Sequence, residues 1–185
     1  MLFSRRPART GSPRGFTLVE LMVTVAIAAI LMGIAAPSFN NIALSMKLTS
    51  YANNLVASTL LARGEAIKRN AVVSLCVSSN GTSCGTGGWE QGWIVMCNTT
   101  DNISCDPLGS STIVIQYQPA VASGWKITES SAIASIPFQP TGIGATAATL
   151  TVCRATPSVG SQERVVRISS SGRPTVTKTA NGVCS

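Results

Sequence analysis

The hydrophobic pattern divides the chain into three stretches. From Phe16 to Ala36 nearly every side chain is apolar, and only Thr17, Glu20 and Thr24 are strongly polar. At about 1.5 Å per helical residue the run reaches roughly 30 Å, the thickness of a bilayer's hydrocarbon core. It predicts a membrane-spanning helix segment over 16–36. Beyond it, Leu44, Leu48, Tyr51, Leu55, Ala62 and Ala66 recur at mostly three- and four-residue steps, and Ala52, Val56, Leu60 and Ile67 widen the stripe. Lys47, Ser50, Asn54, Ser58, Glu65 and Lys68 read as a polar counter-face. This predicts an amphipathic helix segment over 37–70 whose apolar side carries a packed domain. Pro37 should kink the helix or disturb a turn. Glu65 is placed for an i,i+4 pair with Arg69, and Asn70 is a plausible stop. A helix from Phe16 to Asn70 would be roughly 80 Å long at that rise per residue.

From residue 71 to 185 the period changes. Short β-branched and aromatic runs alternate with Gly, Ser, Asn and Pro clusters. Strands are predicted at Val72–Val77, Gly92–Cys97, Ile113–Gln118, Lys126–Thr128, Ile133–Phe138, Thr149–Arg154, Arg164–Ser169 and Thr175–Thr177. Ser169-Ser170-Ser171-Gly172 reads as a hairpin turn between the last two. Strands this short and close favour antiparallel sheets over parallel βαβ units. The fold class is therefore α+β: a long N-terminal helix followed by one globular β-domain.

Glu20 is the anomaly in the first stretch. A carboxylate inside an apolar run is costly and needs a positive partner. Cleavage between Gly15 and Phe16 would create an amine four residues before it, on the same or a neighbouring subunit. Arg5, Arg6, Arg9 and Arg14 precede the run with no acidic residue, which should hold that flank in the cytoplasm and send the β-domain outside. An ordinary secretory signal cut near Gly33-Ile34-Ala35 explains neither an apolar region this long nor the Glu within it.

Gly15-Phe16-Thr17-Leu18-Val19-Glu20, behind its basic leader, resembles the class III signal of type IV pilins and pseudopilins. The resemblance implies that residues 1–15 are a leader removed by a prepilin peptidase, that Phe16 is N-methylated, and that Glu20, at the fifth mature position, serves assembly. It implies an inner-membrane protein of single pass, with a periplasmic domain that enters a pilus on assembly among other major and minor pilins. Further on, Glu65-Ala66-Ile67-Lys68-Arg69-Asn70, Val73-Ser74-Leu75-Cys76 and Gly88-Trp89-Glu90-Gln91-Gly92-Trp93-Ile94-Val95 resemble the GspH/FimT group of minor pilins and pseudopilins. That group implies a long helix packed on a β-sandwich-like domain. The function it implies is a minor pilin of a type IV pilus assembly or tip complex. The alternatives are a minor pseudopilin of type II secretion and a pilin that binds DNA for transformation.

Composition sharpens this picture. Six cysteines and no histidine point to an oxidising compartment and away from a zinc site. Cys76 and Cys84 are eight apart, as are Cys97 and Cys105, which suggests two local pairs and leaves Cys153 with Cys184. Reduced Cys76 and Cys97 inside strands remain the alternative. Formal charge is +7, but four of the fourteen basic residues lie before Phe16, so the chain after the leader carries +3 against its seven acids. That permits contact with DNA without demanding it.

No catalytic constellation is visible. Without histidine there is no His-based triad, the acids are scattered, and the Gly85–Gly88 loop lacks the Lys-Ser/Thr of a phosphate loop. No cofactor, metal site or enzyme activity is expected. Trp93 reads as core packed on the helix; Trp89 reads as core or loop packing in preference to a ligand platform. Arg164, Arg167, Arg173 and Lys178 flank the last turn and are candidates for phosphate contact. DNA-binding members of the FimT branch carry Gly-Arg-x-Arg near this point. Here Gly172-Arg173-Pro174-Thr175 has Thr at the second Arg, and the alternative is a charged edge that resists edge-to-edge pairing.

Overall fold

The structure, a computed structural model, describes residues 15–98, 105, 109, 111–143, 145–155, 162–179 and 184, with backbone alone at 35–38, 40 and 41. Apart from Gly15, the expected leader lies outside the described residues. The chain forms two compact units, Met1–Asn40 and Asn41–Ser185. One helix, α1 (Leu18–Arg69), contributes to both and is helical through Pro37. The kink expected at Pro37 falls on a side chain outside the described set. Among the described residues no helix is long and apolar enough to cross a membrane.

In the second unit α1 ends on a left-handed residue. Asn70 has φ +51, the Ala71 N–H donates to Ala66 O at 3.2 Å, and the Asn70 N–H donates to Ile67 O at 3.4 Å. This pair of bonds satisfies carbonyls the last turn would leave bare, with Asn in the position glycine usually takes. Glu65 sits one turn earlier, with Arg69 Nε at 2.6 Å and Lys68 Nζ at 3.4 Å.

The buried stripe of α1 is Leu48, Tyr51, Ala52, Leu55, Ala62 and Ala66. The predicted stripe needs two corrections. Leu60 and Ile67 are 51% and 52% exposed, so the apolar face is narrower than the sequence reading made it. Ser58, read as part of the polar face, is fully buried. It lies three residues after Leu55 and four before Ala62, on the stripe itself. Its hydroxyl donates to Gln116 Oε1 at 3.0 Å and accepts from Trp93 Nε1 at 3.0 Å, which removes the cost of burying it.

Among the described residues eight strands follow: β1 (Val73–Val77), β2 (Gly92–Asn98), β3 (Thr112–Pro119), β4 (Trp125–Glu129), β5 (Ser135–Phe138), β6 (Ala148–Arg154), β7 (Glu163–Ile168) and β8 (Pro174–Thr179). All eight predicted strands are present with ends shifted by one or two residues. Ile133 and Ala134 fall outside β5 because the Ile133 N–H is spent on the Glu129 carboxylate rather than on a ladder. The strands make two four-stranded antiparallel sheets, ordered β3-β2-β1-β5 and β4-β6-β7-β8. Period-2 alternation turns Val73, Leu75 and Val77 of one sheet, and Leu150, Val152, Val166 and Ile168 of the other, into a single core with the α1 stripe. Gly92 opens β2 at φ +110, where a Cβ would lie 2.7 Å from Gln118 O; no other residue fits there.

Both tryptophans are core. Trp89 is buried with its Nε1 donating to Ile133 O at 2.9 Å, so it offers no exposed platform. Disulfides join Cys76 to Cys84, Cys97 to Cys105 and Cys153 to Cys184. The first pins a loop to the outer face of β1, the second closes onto the core, and the third ties the C-terminal end to β6.

Ser58→Ala tests the polar link between helix and sheet. It strands buried Trp93 Nε1, takes a donor from half-buried Gln116 Oε1 and should lower stability by about 1–3 kcal/mol. Urea unfolding of the detergent-solubilised protein, followed by tryptophan fluorescence, should show a lower midpoint; an unchanged midpoint would mean the link contributes nothing.

Candidate functional site

The sequence singles out two places, the start of α1 and the last hairpin. Gly15, Phe16 and Thr17 precede the helix. Thr17 caps it: the Glu20 N–H donates to Thr17 Oγ1 at 3.2 Å and the Leu21 N–H to Thr17 O at 3.1 Å. Thr17-x-x-Glu20 has the residue spacing of a capping box, a local signal that the membrane reading of Glu20 overlooked. An acidic side chain in the first turn is also favoured by the helix dipole. Glu20 is exposed and has no ion-pair partner among the described residues. In this chain the Phe16 nitrogen is an amide; an amine appears there only after cleavage.

Large apolar side chains of the turns around and after Glu20 are exposed. Leu18, Val19, Leu21, Met22, Val23 and Val25 are all exposed, as are Ile27, Ile30, Leu31, Met32 and Ile34. Successive helical residues point about 100° apart, so consecutive exposed positions mean that the helix is bare on every side. A helix apolar all round is one that other apolar matter buries.

The hairpin residues divide. Arg164 is 8% exposed, with Nη2 donating to Ser45 Oγ at 2.8 Å and Nη1 to Glu163 O at 3.0 Å. Its place in a phosphate-contacting set is therefore corrected: its side chain is held against α1. Lys178 is exposed opposite it in the ladder, whereas Arg167 pairs with Thr175 and points to the other face. Arg167 and Arg173 line an open cleft of about 510 Å³ with Ser130, Ser131, Thr149, Ser169 and Thr175. The turn between them closes with the Gly172 N–H on Ser169 O at 2.8 Å and the Ser169 N–H on Arg173 O at 3.1 Å.

One wall of that cleft is built by a residue the sequence did not mark. Glu129 accepts from the Ser131, Ile133 and Thr149 N–H groups at 2.7, 2.8 and 3.1 Å and lies 3.2 Å from the Ser130 hydroxyl. Partial burial opposes its ionisation, but these donors outweigh it and hold the carboxyl below its ordinary range. The same bonds order the turn that carries Ala132 at φ +56. Elsewhere Arg69 beside Glu65 lowers that carboxyl too. Among the described residues no group of Cys, Asp and Glu could hold a metal ion.

Two family models match the chain. One, described as type II transport protein GspH, covers residues 51–172, and the other, the prokaryotic N-terminal methylation motif, covers residues 12–36. A curated relative, pilin-like protein PilA1 of Thermus thermophilus, is 32% identical over 164 residues, which cover 86% of this chain and 96% of the relative. Two crystal forms of the type IV minor pilin FimU of Pseudomonas aeruginosa share the fold. Their TM-scores are 0.54 and 0.53, at 22% and 21% identity, and each covers 73% of this chain and over nine-tenths of the FimU chain. The protein is thus of the class in which a bare N-terminal helix joins a two-sheet domain. It belongs to the GspH family and is a minor pilin or pseudopilin of the type IV pilin kind.

The Glu129 turn predicts a pH dependence. Because its folded pKa lies below the ordinary 4.5, its contribution is present at neutral pH and is lost as pH falls through the range below that value. Glu129→Gln should lower the urea midpoint at neutral pH and flatten its fall on acidification. A midpoint-against-pH curve parallel to the wild type would remove Glu129 from the stability account.

Proposed function

We propose that the chain is cut between Gly15 and Phe16 by a prepilin peptidase, methylated at Phe16 and held in the inner membrane by residues 16–36. From there it enters the assembly-initiating or tip complex of a type IV pilus as a minor pilin. One observation carries this reading: a single helix is packed by its own domain in its second half and bare all round in its first. The bare half is too apolar for water. In sequence it continues through Ala36, and as a helix it reaches roughly 30 Å. Lipid before assembly and the helices of other major and minor pilins afterwards are the environments that suit it.

In that setting Glu20 is the group that lipid cannot satisfy. The Phe16 amine freed by cleavage, on the same or a neighbouring subunit, neutralises it and sets the register of insertion. The domain supplies no reacting groups to this scheme, and we read the protein as a structural subunit rather than an enzyme.

A second reading is favoured by the description of the matched family, type II transport. A minor pseudopilin would use the same processing and the same helix. Loss of pili with normal secretion in a deletion strain supports the pilus; the opposite outcome supports secretion.

DNA contact at the hairpin now rests on fewer groups. Arg167 and Arg173 share one cleft, Lys178 faces away from it, and Arg164 is spent. Binding there would be weak, indifferent to sequence and steeply salt-dependent. Thr175→Arg, which restores the missing basic residue beside Arg167, should strengthen a gel shift at low salt and Arg173→Ala should weaken it. No shift by the wild type at low salt removes this reading.

The assembly role is tested by Glu20→Ala. The variant should be processed and membrane-bound, with its β-domain folded, yet recovered in filament complexes at a small fraction of the wild-type level. Incorporation at the normal level would defeat the pairing of Glu20 with the Phe16 amine.

A further inference from the structure

Two guanidiniums of the second sheet have nothing to hold. Among the described residues the Arg167 and Arg173 side chains make no hydrogen bond and no ion pair. Outside the ladder both residues bond only through their backbones: Arg167 O accepts from the Thr175 hydroxyl, and the Arg173 N–H donates to Ser169 Oγ. Both side chains are exposed, and both line the open cleft of about 510 Å³. No acidic side chain lines it with them. The Glu129 carboxylate is taken up by three N–H groups and the Ser130 hydroxyl.

Strand register builds the floor of the cleft. Thr149 of β6 faces Arg167 of β7, and Arg167 faces Thr175 of β8. The Ser130 N–H, on Thr149 O at 3.1 Å, lengthens the row by one residue. Arg167 therefore stands between hydroxyl-bearing neighbours on both sides. The Ser130, Ser169 and Thr175 hydroxyls already donate, to Glu129 Oε1, Arg173 O and Arg167 O. The Ser131 and Thr149 hydroxyls have no partner among the described residues, and both residues line the cleft. Ala147 and Ala148 add small apolar surface to the lining. Two rims are set before any ligand arrives: Glu129 orders the turn that carries Ser130 and Ser131, and the Ser169–Arg173 bonds close the hairpin.

The positive charge here is a point rather than a track. Arg164 and Lys178 stand on the opposite face of the sheet, and Arg164 is held by Ser45. Lys126 pairs with Cys153, four residues along β6 from Thr149, which is roughly 13 Å of strand. Arg63, near Gly172, donates to Gly142 O at 2.8 Å. A DNA duplex draws its affinity from cations spread along many phosphates. Two guanidinium forks, two unpaired hydroxyls and small apolar walls suit instead one anionic group on a compact, hydroxylated body. The volume lies within the range of small-molecule sites, about 300–1,000 Å³. We propose that the cleft binds an anionic sugar, a hexose unit whose carboxylate or phosphate lies between Arg167 and Arg173. Each guanidinium matches either oxyanion with two parallel hydrogen bonds, and the ring hydroxyls meet Ser131 and Thr149. The DNA reading uses the same cleft, but a sugar needs no second phosphate, so the two readings fail separately.

The test uses the full chain in a detergent whose headgroup is neither charged nor a sugar. Saturation-transfer NMR at low salt reads binding of glucuronate, glucose 6-phosphate and glucose, with inorganic phosphate as competitor. Both anionic sugars should receive saturation and glucose should not. Inorganic phosphate should displace them only at about tenfold excess or more, because it lacks the ring hydroxyls. Arg167→Ala and Arg173→Ala should each weaken glucose 6-phosphate about tenfold or more. Arg173→Lys, which keeps the charge and loses the fork, should weaken it too. Lys126→Ala, which removes the same charge at the other end of the sheet, should not. Absence of transfer to both anionic sugars at about 10 mM, a concentration that would fill even a millimolar site, overturns the inference. Phosphate as effective as glucose 6-phosphate, or full binding by Arg173→Lys, also overturns it, because either reduces the cleft to a loose attraction for anions. A DNA gel shift without sugar binding overturns it and leaves the DNA reading standing. Sugar binding without a gel shift upholds it and removes the DNA reading.

Discussion

Everything in the second unit depends on one stripe of one helix being buried between two sheets. Leu48, Tyr51, Leu55, Ala62 and Ala66 supply the stripe, and the alanines keep it low so that strands can approach the helix backbone closely. Each large side chain removed from water there is worth about 1.5–3 kcal/mol, and without α1 the inner faces of both sheets would be open to solvent. The polar exceptions obey the same constraint. Ser58, Trp93 and Gln116 satisfy one another inside the core, and Arg164 is held by Ser45 and the Glu163 carbonyl.

The same helix therefore serves two environments. Where its own domain covers it, its polar and apolar residues are arranged by face. From Leu18 to Ile34 exposed apolar residues occupy every face. One element thus carries both kinds of surface. The Thr17 cap fixes where α1 begins. Glu20 stands in the first turn, its N–H on the Thr17 cap and its carboxylate where the helix dipole favours negative charge.

Much of this was legible from periodicity. Strands and helix followed from periods of two and about 3.6, and Asn70 marked the helix end because it tolerates a left-handed conformation. What was missed has physical reasons. Ser58 was assigned to the polar face by its chemistry, although its spacing from Leu55 and Ala62 put it on the buried stripe. Arg164 and Arg167 look like neighbours in a cluster, but an odd separation in a strand sends them to opposite faces. Glu129 was invisible because its donors come from a turn and from Thr149, twenty residues away.

The central claim is that the first half of α1 starts at Phe16 as a free N-terminus able to meet Glu20 within an assembly. Mass spectrometry of the N-terminal peptide from the native protein tests this most directly. The account predicts a chain beginning at Phe16 and carrying one methyl group on its amine. A chain beginning near Ala36, or one that retains Arg14-Gly15 in assembled filaments, would contradict it.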